Sequence, residues 1–272
     1  HDFAPSSEQV ALMSQSGLVV ANGLGLEQGL GDVLEQLETD GGVVYRVAEW
    51  IDPLLFTDDE HDHADDEHTE DKHDHVDEEV AENSHEATDG DHPDEHDHGD
   101  YDPHFWFDMA RMAEVARTLG AEWEAQFGAD AVSCGEQVAT SIEATDAEVR
   151  DILSVIPAEK RLLVTDHKAF SYFAEHYDFD IAGVVIPGGA TLAEPSSQEL
   201  AELVETVVAE EVPAMVSDFF EPSDVLESVA QESGNLVVIP LYVGSVGEPG
   251  GDAGDYQSMM LTNAQLLAEA LG

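Results

Sequence analysis

Basic residues are scarce in this chain: eight Lys and Arg stand against 61 Asp and Glu, a formal net charge of −53 over 272 residues. A field of that sign repels nucleic acid and anionic membrane surfaces, so neither is expected as a partner. Cysteine is nearly absent. Cys134 alone excludes an intrachain disulfide framework and a Cys-based zinc site, and it reads as a small buried apolar residue. Apolar runs never approach the roughly 20 residues that cross a bilayer. No signal peptide is visible, and a chain opening on "HDF" without Met reads as processed or truncated; membrane association is then expected only through an anchor absent from the given sequence.

Apolar side chains, by contrast, make up 42% of the sequence, which over this length supports two compact lobes with a core in each. The acidity is not confined to one place. Residues 57–102 hold 22 of the acidic residues and one of the bases, and the remainder is still strongly acidic. Molar salt shrinks the Debye length to about 3 Å and screens such self-repulsion, so the composition reads as that of a protein from a halophile.

The pattern along the chain alternates strand and helix, the signature of an α/β fold with mainly parallel sheets. "SSEQ" at 6–9 fits a capping box opening a helix, followed by an apolar strand "GLVVANG" at 17–23, a helix "DVLEQLE" and a strand "VVYRVAE" at 43–49. A 3.6-residue period in "DMARMAEVARTLGAEWEAQF" puts Met109, Met112, Val115, Ala116, Leu119 and Trp123 on one core-facing stripe. Residues 136–156 read as a long connecting helix. Beyond it the α/β pattern restarts with "RLLVT", "KAFSYFAEHY", "IAGVVI", a second capping box at Ser196 and Glu199, "PAMVSDF", "NLVVIPLY" and a closing helix ending at Gly272. The expected architecture is an N-terminal lobe over 1–135, the connecting helix 136–156, and a C-terminal lobe over 157–272. The tract 57–102, with almost no large apolar side chains, is expected to be a disordered acidic loop inside the first lobe.

Nine of the 13 histidines lie in that tract: His61, His63, His68, His73, His75, His85, His92, His96 and His98. Imidazoles flanked by carboxylates suit Zn²⁺ and other late divalent metals, and here they read as an accessory, low-affinity metal loop. His104, after "DP" and before an amphipathic helix, and His167, between "RLLVT" and "KAFSYF", stand at element boundaries instead. Open α/β sheets bind ligands at the carboxyl ends of their strands, where His167 would project. His176, mid-helix, reads as an ordinary packed residue.

Four motifs in order, "HDFAPSSEQV", "DPHFWFDM", "VTDHKAFSYFAEHY" and "LAEPSSQELAELV", resemble the zinc and manganese group of metal-binding solute-binding proteins of ABC transporters. The resemblance covers essentially the whole chain. It implies two α/β lobes joined by a long helix with the metal in the cleft between them, and it implies His1, His104 and His167 as ligands. An acidic His-rich loop before "DPH" recurs in the zinc-specific members as an accessory metal collector. The resemblance further implies an extracytoplasmic, lipid- or membrane-anchored protein that hands its metal to a membrane permease.

Two departures stand out. The chain begins at the first ligand, so the first lobe is incomplete at its start, and "YVGSVGEPGG" puts Gly244 where many members carry a ligand Asp. Water, or a carboxylate from elsewhere such as Asp252, Asp255 or a tract residue, is then expected at the fourth position. Three imidazoles with at most one carboxylate favour Zn²⁺ over Mn²⁺, which prefers an oxygen-rich set. The leading expectation is a monomeric zinc-capture protein serving a permease. Set against it are an Mn²⁺-binding member of the same family, a metal-buffering or adhesive surface protein, and a zinc hydrolase. The hydrolase is disfavoured by the lack of an H-E-x-x-H pair.

Overall fold

The computed structural model describes residues 4–56, 101–186 and 195–272. His1 and the nine histidines of the acidic tract lie outside the described residues, as does the expectation of disorder there.

Helix α1 (Ser7–Gln15) starts at Ser6 with the capping box complete: the Ser6 hydroxyl accepts from Gln9 N and the Gln9 side chain accepts from Ser6 N. Strand β1 (Val19–Ala21) pairs in parallel with β2 (Val44–Arg46) around α2 (Gly31–Thr39), whose Leu34 and Leu37 are buried with Ala21. Both strands are shorter than their apolar runs suggest. After Arg46 the chain turns into a 3₁₀ segment (Val47–Trp50) rather than extending to residue 49. The loop leaving β1 carries Gly23, Leu24 and Gly25 at positive φ, and a Cβ at Gly23 would stand 3.1 Å from that of Ala48.

Helix α3 (Met109–Phe127) and α4 (Val132–Leu153) form an antiparallel hairpin. Gly120 and Gly135 let the two backbones touch: a Cβ at Gly135 would lie 2.5 Å from Ala116 O and one at Gly120 2.9 Å from Ala131 O. The long helix thus begins at 132 and ends at 153, offset a few residues from the expected 136–156. Two readings fail on this hairpin. Cys134 is exposed, because the close contact is made by its neighbour Gly135. Trp123 is 46% exposed and leans on Phe127 outside the core, although Met109 and Val115 on the same stripe are buried. Periodicity finds a face but not how far along it the neighbours reach.

The second lobe is a four-stranded parallel sheet in the order β4 (Asp180–Ile186), β3 (Leu162–His167), β5 (Ala214–Asp218), β6 (Val237–Leu241). Its inner strands β3 and β5 are buried on both faces, as the near-continuous apolar runs require. Around it pack α5 (Ser171–Tyr177), α6 (Ser197–Ala209), α7 (Asp224–Glu232) and α8 (Tyr256–Leu271). Helix α6 opens on the second capping box, with Ser196 and Glu199 exchanging both bonds. One core cluster runs through both lobes, from Tyr45 and Phe107 to Phe170, Leu241 and Leu267. Gln257 on α8 donates to Ser141 and Thr145 of α4, tying the connecting helix to the second lobe.

Candidate metal centre

The segment "DPHFWF" is held from several sides. Phe107 stacks on Phe170 at 4.8 Å between ring centroids, and Phe173 meets both edge-on. Burying each such ring contributes about 1.5–3 kcal/mol. The Tyr172 hydroxyl donates to Asp102 O at 2.8 Å and accepts from Leu54 N at 2.9 Å, with burial pushing its pKa up to about 12. Asn22 donates to Pro103 O, the Trp106 indole donates to Val243 O, and Tyr256 donates to Trp106 O. Instead of leading straight into a helix, His104 caps a 3₁₀ turn (Phe105–Phe107) that precedes α3.

His104 is 2% exposed, and the carboxylate beside it, Asp102, is fully buried. Asp102 Oδ1 receives the His104 backbone amide at 2.9 Å and meets ring Nδ1 at 2.7 Å. Burial lowers the pKa of the His104 imidazole, and the Asp102 hydrogen bond only partly opposes this. The second ring repeats the design. His167 ends β3, and Asp166 Oδ1 receives its backbone amide and faces its Nδ1, both at 2.8 Å. An ionised carboxylate can only accept, so in each pair Nδ1 carries the proton and the ring lone pair is on Nε2. The two rings lie 5.6 Å apart between centroids at 62°.

Both histidines line a cavity of about 340 Å³ whose other walls are Leu26, Trp106, Asp218, Phe220, Glu221, Val243, Gly244 and Ser245. His167, Asp218 and the loop after β6 all stand at the carboxyl ends of parallel strands, where the sheet's topology leads one to look for a ligand. The carboxylates expected from the loop after Gly244 are elsewhere. Asp255 accepts from Ser258 N as the cap of α8, which holds its pKa down, and neither it nor Asp252 lines the cavity. Gly244 itself does line it. Asp218, also on the cavity wall, was not singled out from the sequence. Among the described residues no three His, Cys, Asp or Glu side chains stand close enough to hold an ion unaided. His176 does not face the cavity; its ring bridges Asp108 at 3.2 Å and Asp146 at 2.9 Å.

Two α/β lobes joined by a long helix, with paired carboxylate-held imidazoles in a cavity at the strand ends, define the class of two-lobe solute-binding proteins. Residues 1–270 match the family described as zinc-uptake complex component A, periplasmic, and the chain belongs to it. It is 28% identical over 185 residues to the zinc-binding protein TroA of Treponema pallidum, a match covering 63% of this chain and 58% of that protein. To the manganese ABC transporter substrate-binding lipoprotein PsaA of Streptococcus mitis it is 22% identical over 279 residues, covering 100% of this chain and 78% of PsaA. The structure of the periplasmic zinc-binding protein TroA superposes with a TM-score of 0.75 at 23% identity, covering 100% of this chain and 87% of that one. A manganese-bound periplasmic metal-binding protein from Candidatus Liberibacter asiaticus gives 0.75 at 16% identity, again covering 100% of this chain and 87% of that one. No helix among the described residues is long and apolar enough to cross a membrane.

Proposed function

We propose that this protein captures Zn²⁺ outside the cytoplasm and delivers it to an ABC-transporter permease, with His1, His104 and His167 as ligands. The observation that carries this reading is the pairing of His104 with Asp102 and His167 with Asp166 on the wall of one cavity. Carboxylate–imidazole pairs of this kind fix the tautomer of metal-ligating histidines and raise their basicity. Imidazole nitrogen suits zinc better than manganese. Family membership and the metal-binding names of the relatives support capture rather than catalysis, and PsaA keeps manganese as the second reading.

The nine histidines of the acidic tract act in this proposal as a weak accessory collector, distinct from one tight site. Deleting residues 59–99 is expected to remove the weak sites from a zinc titration and to leave one tight site, whereas His167→Ala lowers the tight affinity by orders of magnitude. Calorimetry giving the opposite pattern would favour a metal-buffering surface protein. Competition between Zn²⁺ and Mn²⁺ in the same titration separates the two metals.

A further inference from the structure

The segments that carry His104 and His167 meet again outside the cavity, at His176 in the last turn of α5. Its side chain is 10% exposed. Ring Nδ1 faces Asp108 Oδ1 at 3.2 Å, and ring Nε2 faces Asp146 Oδ1 at 2.9 Å. Both carboxylates can only accept, so toward them the ring acts as a donor. Asp108 follows His104 by four residues and caps α3, Asp146 belongs to the connecting helix α4, and His176 follows His167 by nine residues.

Each carboxylate also builds the element it sits on. Asp108 Oδ1 accepts from Ala110 N at 2.8 Å and Arg111 N at 3.0 Å, and Oδ2 accepts from the Arg111 guanidinium. Its backbone amide donates to Phe105 O at 3.0 Å, closing the 3₁₀ turn that His104 caps. Arg111 reaches on to Glu175 of α5 at 3.1 Å. Asp146 accepts from the Tyr177 hydroxyl at 2.8 Å and from Arg150 Nε at 3.2 Å. Burial raises the Asp146 pKa, but the hydrogen bonds from His176 and Tyr177, with the charges of His176 and Arg150, outweigh it and hold the carboxyl below its usual range. Arg150 Nη2 also lies 2.8 Å from Nε2 and 3.2 Å from Nδ1 of the His176 ring. Two of the chain's eight basic residues thus stand at one junction, where Asp108, Asp146 and Glu175 would otherwise repel one another.

We propose that His176 is a positioning residue for the metal site: by joining Asp108 at the head of α3 to Asp146 on the connecting helix, it sets how the His104 turn stands against the His167 strand. The inference rests on the zinc-site reading above and adds a residue that lines no part of the cavity. The turn then has an anchor to α5 on each side of His104 in the chain, Tyr172 through Asp102 O before it and His176 through Asp108 after it.

The test is competition calorimetry with zinc on the full chain, read beside thermal unfolding of the metal-free protein. His176→Phe keeps a ring and removes both donors, and it is expected to lower zinc affinity about 2–30-fold, the range for a change in a packed network that does not touch the ligand. His176→Asn keeps a donor toward Asp108 and His176→Gln one toward Asp146, so each is expected to fall between His176→Phe and wild type, and either carries the comparison if His176→Phe does not fold. Tyr45→Phe, which removes the hydrogen bond to Thr118 at 2.7 Å, controls for lost stability as such and is expected to leave zinc affinity unchanged. Wild-type affinity in the folded His176 variants, with wild-type zinc binding intact, would overturn this inference alone. So would an equal loss in His176→Phe, His176→Asn and His176→Gln, or a loss in Tyr45→Phe as large as theirs. Failure of the wild-type protein to bind zinc through His104 and His167 would overturn the site reading itself.

Discussion

His104 and His167 stand with ring centroids 5.6 Å apart although 62 residues of chain separate them, and each is held through Nδ1 by the aspartate of its own motif. The spacing results from two independent supports. Aromatic packing and the Tyr172 hydrogen bonds fix the "DPH" turn, and the parallel sheet fixes the end of β3.

If the two aspartates orient the imidazoles, Asp102→Asn and Asp166→Asn should each weaken zinc binding by about 10–100-fold without removing a ligand atom. Calorimetry on the two variants measures this. Asp166→Asn should have the broader effect, because Asp166 also accepts from Asp218 N.

Tyr172→Phe removes one hydroxyl that serves both Asp102 O and Leu54 N. Leaving a buried polar partner unsatisfied costs about 1–3 kcal/mol, to be seen as a lower midpoint in denaturant unfolding. Zinc affinity should fall with it, because the same hydroxyl steadies the segment that carries His104.

The pH dependence has a definite sign. The folded-state pKa of His104 is lowered by burial, so between that value and about 6.5 the unfolded chain binds a proton that the folded chain does not. The metal-free protein therefore loses stability as pH falls below about 6.5, with the loss complete once pH passes below the folded pKa. Comparison with His104→Gln isolates this contribution from the general relief of acidic repulsion: the variant should show a smaller loss of unfolding free energy from pH 7 to 5. An equal loss in both proteins would remove His104 as the cause.

Much of this site was legible in the sequence because its signals are local. The Ser6–Gln9 and Ser196–Glu199 boxes form as their spacing dictates, and His167 lies at a strand's carboxyl end as its flanks imply. Asp218 was not singled out, since its place on the cavity wall depends on β5 lying beside β3 and on Gly244 arriving from β6, pairings that no local pattern encodes. A signal was nonetheless available: Asp218 closes "PAMVSDF" in the same way that His167 closes its own strand. Asp252 and Asp255 were proposed from nearness to Gly244 in the chain, but Asp255 is used in capping α8. Cys134 and Trp123 misled for a related reason, because residue type and period report a tendency to be buried and not which neighbour is there to cover them.

The most direct test is a crystal of the zinc-loaded protein measured on both sides of the zinc absorption edge. The account predicts a single strong anomalous peak in the cavity, about 2.0–2.1 Å from Nε2 of both His104 and His167. A tight zinc peak away from both rings, with the cavity holding none, would contradict it.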